Sequence, residues 1–110
     1  MQEVELFPYS GQSFIVEYSD VLVFRNTYSA DGKSVTAEFL VGDMAGTKMT
    51  MPFKWQALPE GNFLLAWQEA NQSTVVHCDN FEARTTKSFY TMMNGSFYIM
   101  EGTIREQALA

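Results

Sequence analysis

Apolar and polar residues alternate along this chain in eight short runs, each closed by a turn signal, with no long helical period between them. Side chains of a strand point alternately to its two faces, so each run predicts a strand with one buried face and one solvated face. After a lead containing Pro8, Gly11 opens a first strand at Ser13–Tyr18, with Phe14, Val16 and Tyr18 on one face. Ser19-Asp20 turns into Val21–Tyr28, and Ser29-Ala30-Asp31-Gly32 turns into Ser34–Val41. In that third strand Val35, Ala37, Phe39 and Val41 alternate with Thr36, Glu38 and Leu40. The stretch Gly42–Gly46 leads to a fourth strand at Thr47–Leu58, whose Pro52 lacks a ladder donor and so predicts a bulge or a sheet edge. Pro59-Glu60-Gly61 precedes Asn62–Glu69, and Ala70–Gln72 turns into Ser73–Phe81. The last pair, Thr85–Met93 and Ser96–Arg105, is joined through Asn94-Gly95, the strongest short hairpin signal in the chain. The tail Glu106–Ala110 is expected either to fray or to cap one end of the barrel.

Short turns between consecutive strands predict an all-β, up-and-down antiparallel barrel of about eight strands. A sandwich is the alternative, but it needs longer connections between its two sheets. An eight-stranded barrel has an interior just wide enough for side chains or one small ligand. Function is therefore expected in the lumen or at its mouth.

Composition narrows the picture. The 110 residues, 46 % of them apolar, suit one domain over 1–110 with a real core. No apolar run reaches the roughly 18 residues of a membrane helix, so no membrane span is expected. Met1-Gln2-Glu3-Val4-Glu5 has no basic region followed by an apolar one, and Cys78 has no second cysteine to pair with. Both point to a reducing, cytoplasmic setting. Seven basic against thirteen acidic residues give a formal charge of −6, and Lys33, Lys48, Lys54 and Lys87 are scattered. Nucleic-acid binding requires a basic surface to neutralise phosphates, so it is not expected.

Candidate chemistry is sparse. His77 and Cys78 are neighbours on a strand and so face opposite sides, which rules out a shared metal ion or a catalytic dyad between them. The glycines stand singly at turns and form no phosphate loop. No cofactor is implied. Leu65, Trp67 and Glu69 share one strand face. Either this is a core strand whose Glu69 reaches solvent, or it is a lumen wall with a carboxylate beside an indole, an arrangement suited to acid–base work. If Val75 faces the lumen, His77 and Asp79 face it too, and join Tyr18 around one cavity. A one-residue slip in register would reverse that assignment. The methionines, among them Met49, Met51, Met92, Met93 and Met100, suit both cores and adaptable binding surfaces. Phe53, Trp55, Phe89, Tyr90, Phe97 and Tyr98 exceed what a small lumen can hold, so an outer aromatic or methionine-rich patch and a homodimer are expected.

Gly61-Asn62-Phe63-Leu64-Leu65-Ala66-Trp67-Gln68-Glu69, followed by Thr74-Val75-Val76, resembles the W-x-E strand and hairpin of calycin-type barrels. The similarity is to MoaF-like proteins and, more remotely, to phenolic acid decarboxylases. Gly11-Gln12-Ser13-Phe14-Ile15-Val16-Glu17-Tyr18 is similar to their first strand. The decarboxylase resemblance implies a catalytic glutamate at Glu69 and a substrate-binding tyrosine at Tyr18. Val16 stands where a second tyrosine would be, and Thr47 replaces an arginine after Gly46. Orienting a phenolic acid needs both of those missing groups, so its decarboxylation is not expected.

The expectation is a calycin-like barrel that binds a small apolar or aromatic molecule, with Tyr18, Trp67, Glu69 and His77 as ligand-binding residues. The alternatives are a lyase or isomerase using Glu69 as general acid or base in the same cavity, and an oligomeric interaction module with a filled core.

Overall fold

The computed structural model describes residues 6–106. Eight strands follow in chain order: β1 (Ser13–Ser19), β2 (Leu22–Tyr28), β3 (Ser34–Phe39), β4 (Lys48–Ala57), β5 (Asn62–Gln68), β6 (Thr74–Asn80), β7 (Thr85–Thr91) and β8 (Phe97–Glu106). Each pairs antiparallel with the next, and β8 returns to β1, closing the barrel. Closure leaves no sheet on which to stack a second, so the sandwich alternative is excluded. Among the described residues no helix is long and apolar enough to cross a membrane. The leader expected to be absent at Met1–Glu5 and the tail beyond Glu106, expected to fray or to cap, lie outside the described residues.

The register settles which face looks inward. Phe24, Asn26 and Tyr28 of β2 oppose Phe39, Ala37 and Val35 of β3, and Trp67 and Leu65 of β5 oppose Val75 and His77 of β6. The odd residues of β3, β4, β5 and β6 therefore point into the lumen, as the alternation predicts. Strand β3 ends at Phe39, short of the expected Val41, because the chain turns through a hydrogen-bonded loop in which Gly46 N–H donates to the Phe39 carbonyl.

Pro52 makes no bulge, but it does stand at a local sheet edge, where β4 passes from pairing with β3 to pairing with β5. It pairs in register with Ser34, and pairing of β4 with β5 begins only at Phe53. The Phe53 N–H donates to the Lys33 carbonyl on the β3 side. The neighbouring proline nitrogen thus faces β5, where the ladder has already stopped and no donor is missed.

The two ends of the barrel differ. The end bearing the β2–β3, β4–β5 and β6–β7 turns is filled by aromatic rings, and the lead before β1 supplies its plug. Phe7 is 1 % exposed, and its ring lies 4.9 Å from that of Tyr28, 5.3 Å from Phe53 and 5.4 Å from Trp55. Tyr9 stacks on Phe81 at 4.1 Å. The lead fits because Gly32 in the β2–β3 turn has no side chain: a Cβ there would lie 2.7 Å from the Ser10 hydroxyl. Alternation could not reveal this plug, since the lead is not a strand.

Candidate functional site

At the opposite end the lumen stays open. A cavity of about 390 Å³ lies beneath the β1–β2, β3–β4, β5–β6 and β7–β8 turns, and Tyr18, Trp67, Glu69 and His77 all line it. The expected site residues therefore come together, with His77 on the lumen face and Cys78 on the outer face, paired with Leu64 and Lys87.

The walls are apolar. Phe24, Phe39, Met49, Trp67, Val75 and Met100 are among the residues that line it, in keeping with small-molecule pockets that are largely apolar with a few placed polar groups. Among the described residues no lysine or arginine lines the cavity. The polar groups sit in two places, the rim and the floor.

At the rim, Glu69 follows Trp67 just past the end of β5. It is half-buried and accepts a 2.9 Å hydrogen bond from the Tyr90 hydroxyl. Burial, and then the Glu69 carboxylate, raise the Tyr90 pKa, so Tyr90 stays a neutral donor there. Tyr98 joins it at the mouth.

The floor holds a buried chain of polar groups. The Tyr18 hydroxyl is hydrogen-bonded to that of Ser88 and lies 3.4 Å from His77 Nε2. His77 Nδ1 lies 3.4 Å from Asp79 Oδ2, and the Thr86 hydroxyl donates to Asp79 Oδ1. His77, Asp79, Thr86 and Ser88 are all at most 4 % exposed. Burial pushes the Tyr18 phenol up to about 12, partly opposed by the Ser88 hydrogen bond, so at neutral pH it is a proton donor. The indole ring of Trp67 packs on the imidazole at 4.6 Å, and its own buried N–H has no hydrogen-bond partner among the described residues.

Two backbone features aim Tyr18. The β1–β2 register runs from Glu17↔Val23 to Ser19↔Leu22, so Tyr18 is the extra residue of a β-bulge, a device that redirects a side chain. Gly102 of β8 makes room for it: a Cβ there would lie 2.3 Å from the Glu17 carbonyl oxygen and 3.0 Å from Tyr18 Cδ1. Any side chain at 102 would have to displace the bulge.

Sequence reasoning named His77, Asp79 and Tyr18 but missed Asn26, Thr86 and Ser88. Asn26, which lines the cavity at 3 % exposure, carried a readable signal: it is the polar interruption on the Leu22, Phe24, Tyr28 face. Thr86 and Ser88 carried only a mixed signal, because β7 sets Tyr90 on their face but Phe89 with Lys87 on the other.

Comparison with known proteins agrees with the fold. No curated protein gives a significant match. A crystal structure described as that of a "putative beta-lactamase" from Burkholderia vietnamiensis shares 33 % sequence identity. It aligns over 94 % of this chain and 100 % of its own, with a TM-score of 0.88. The sequence profile of MoaF-like proteins matches residues 10–105, from the end of the lead to the penultimate residue of β8. The chain belongs to the MoaF-like family.

Proposed function

We propose that this protein binds one small, apolar or aromatic molecule in the open half of its barrel, in a reducing, cytoplasmic setting. The observation that carries the reading is the contrast between the two ends of the lumen: one is filled by a plug of aromatic rings, with a more polar groove outside it along the lead, the β2–β3 turn and β4, while the other keeps a cavity of about 390 Å³ over a buried polar floor. A barrel serving only as a packed scaffold gains stability by filling such a space, since voids forfeit contacts. The unpartnered Trp67 indole N–H supports the same reading. Glu69 at the rim and His77 with Tyr18 at the floor would fix the ligand's orientation.

The name carried by the Burkholderia protein does not extend to this proposal. Serine β-lactamases of the S-x-x-K type need Ser three residues before Lys. Here the residues three before Lys33, Lys48, Lys54 and Lys87 are Ala30, Ala45, Met51 and Arg84. Among the described residues no group of three His, Cys, Asp or Glu side chains is placed to hold a metal ion.

The neutral fluorophore N-phenyl-1-naphthylamine provides the test. It should bind with one-to-one stoichiometry and a blue-shifted emission, and Ala37→Phe, which places a ring in the cavity, should abolish binding while the circular dichroism spectrum is kept. If that variant fails to fold, Leu22→Trp at the mouth serves instead. Unchanged binding in a folded, blocked variant would contradict the proposal.

A specific observation also supports self-association. Phe89, Phe97 and Ile99 are about half exposed or more on the outer face of β7 and β8. Beside them β8 has an open flank, because β1 pairs only with Thr103–Glu106. An open strand edge beside an apolar face suits antiparallel pairing with a second copy. Light scattering should report a dimer that Ile99→Lys converts to monomer. A wild-type monomer at high concentration would count against it.

A further inference from the structure

The polar floor of the cavity is arranged for more than holding a ligand. His77 Nδ1 faces the Asp79 carboxylate, which Thr86 secures from the other side. That contact favours the tautomer with hydrogen on Nδ1, because a carboxylate accepts but does not donate. The lone pair of His77 is then on Nε2, on the side of Tyr18 and the cavity. Ser88 can donate to the Tyr18 oxygen, so before a ligand enters the phenolic O–H is the donor to His77 Nε2, and a ligand carbonyl that draws this O–H to itself releases the Nε2 lone pair. The floor therefore offers a base and, beside it, a neutral oxygen-directed donor.

What the lumen lacks decides the chemistry. Cys78 points outward, Ser88 is fully buried behind Tyr18, and among the described residues no lysine lines the cavity to form a Schiff base. Covalent catalysis by a thiol, a serine or an amine is left without its nucleophile. Proton transfer is not.

We infer that the floor is a proton-transfer centre for carbon acids, in which His77 is the base and Tyr18 the oxyanion donor toward a ketone held between the aromatic and methionine walls. The inference rests on the ligand-binding reading above. His77 Nε2 takes a proton from the carbon next to the carbonyl. The C–H electron pair becomes the new C=C bond, and the carbonyl π pair moves to oxygen, where the Tyr18 O–H stabilises the enolate. The imidazolium then returns a proton to carbon, at the same or a conjugated position. No oxidant or co-reactant is needed. Asp79 acts through His77 and is a positioning residue.

The probe is the bicyclic aryl ketone 2-tetralone. In deuterated buffer the wild-type protein should speed deuterium uptake beside the carbonyl, followed by proton NMR. His77→Gln should lose at least about 100-fold of the protein-catalysed rate, the lower range for a positioned acid or base. Tyr18→Phe should lose a comparable factor, as expected for an oxyanion donor. Because His77 is the single histidine of the chain, its nitrogen NMR signals are unambiguous. They should report the Nδ1–H tautomer in the wild type and a shift toward Nε2–H in Asp79→Asn, a readout that needs no turnover and does not depend on the His77 variant folding. A wild-type Nε2–H tautomer, or equal exchange rates in wild type and His77→Gln, would overturn the inference. Should tetralone displace the naphthylamine dye without being exchanged, the proton-transfer inference falls and ligand binding stands. Failure of tetralone to displace a dye that does bind overturns the ketone assignment alone, and failure of the dye itself removes both readings.

Discussion

Replacing Phe7 by alanine is expected to destabilise the barrel by about 3–5 kcal/mol, the usual loss for truncating a buried phenylalanine. The ring is 1 % exposed and lies within 6.3 Å of six other aromatic rings: Tyr9, Tyr28, Phe53, Trp55, Phe63 and Phe81. Its removal opens a cavity at the closed end, among rings held by the hydrogen-bonded strands. Domains of this kind are stable by only about 5–15 kcal/mol, so the variant should approach the limit of folding. Urea unfolding checks it: with a slope of about 1–3 kcal/mol per molar, the midpoint should fall by at least about 1 M. A loss below about 1 kcal/mol would mean that the lead is an accessory to the barrel and not its plug.

Stability should also fall steeply at alkaline pH, and for a reason inside the lumen. The folded chain holds the Tyr18 proton up to about pH 12, whereas a free tyrosine releases it near 10. Below pH 10 both states keep the proton and the stabilisation is present in full. Between 10 and 12 the unfolded state gives up the proton while the folded state retains it, so each unit of pH favours unfolding. From this two-unit shift Tyr18 alone should remove about 2–3 kcal/mol. Tyr28, fully buried with its pKa raised first by burial and then by the Asp79 carboxylate, adds to the loss. Urea midpoints measured from pH 8 to 12 should drop above 10, and Tyr18→Phe should make the decline shallower. An identical decline in that variant would contradict the buried phenol.

The barrel was legible because most strands announce their inner face. Val35 and Ala37 on β3 alternate with Ser34, Thr36 and Glu38, and register carries that parity to strands such as β5, where Leu64 and Ala66 flank Leu65 and alternation alone is weaker. Once the register sets Val75 on the lumen face, the same parity brings His77 and Asp79 to the side of Tyr18, a choice the sequence had left open. Strand β7 shows where pattern reading stops. Its lumen face carries Thr86 and Ser88, while its outer face carries Phe89, 47 % exposed. Polarity there is mixed, because the lumen face adds Thr86 and Ser88 to Tyr90 and the outer face adds Phe89 to Lys87. Only pairing with His77 and Asp79 shows which face is which. The β1 bulge was hidden for a related reason: the need for Gly102 arises from the approach of β8 to Glu17, a contact between residues far apart in the chain.

The central claim, that the open half of the lumen receives the ligand, is tested most directly by the methionines. Met44, Met49 and Met100 line the cavity, Met51 lies in the packed core, and Met93 is exposed. With methyl-labelled methionine and bound N-phenyl-1-naphthylamine, the signals of Met49 and Met100 should shift and show nuclear Overhauser contacts to the naphthyl protons, while Met93 stays unchanged. Shifts confined to Met93, with Met49 and Met100 silent, would place the ligand on the outer surface and contradict the account.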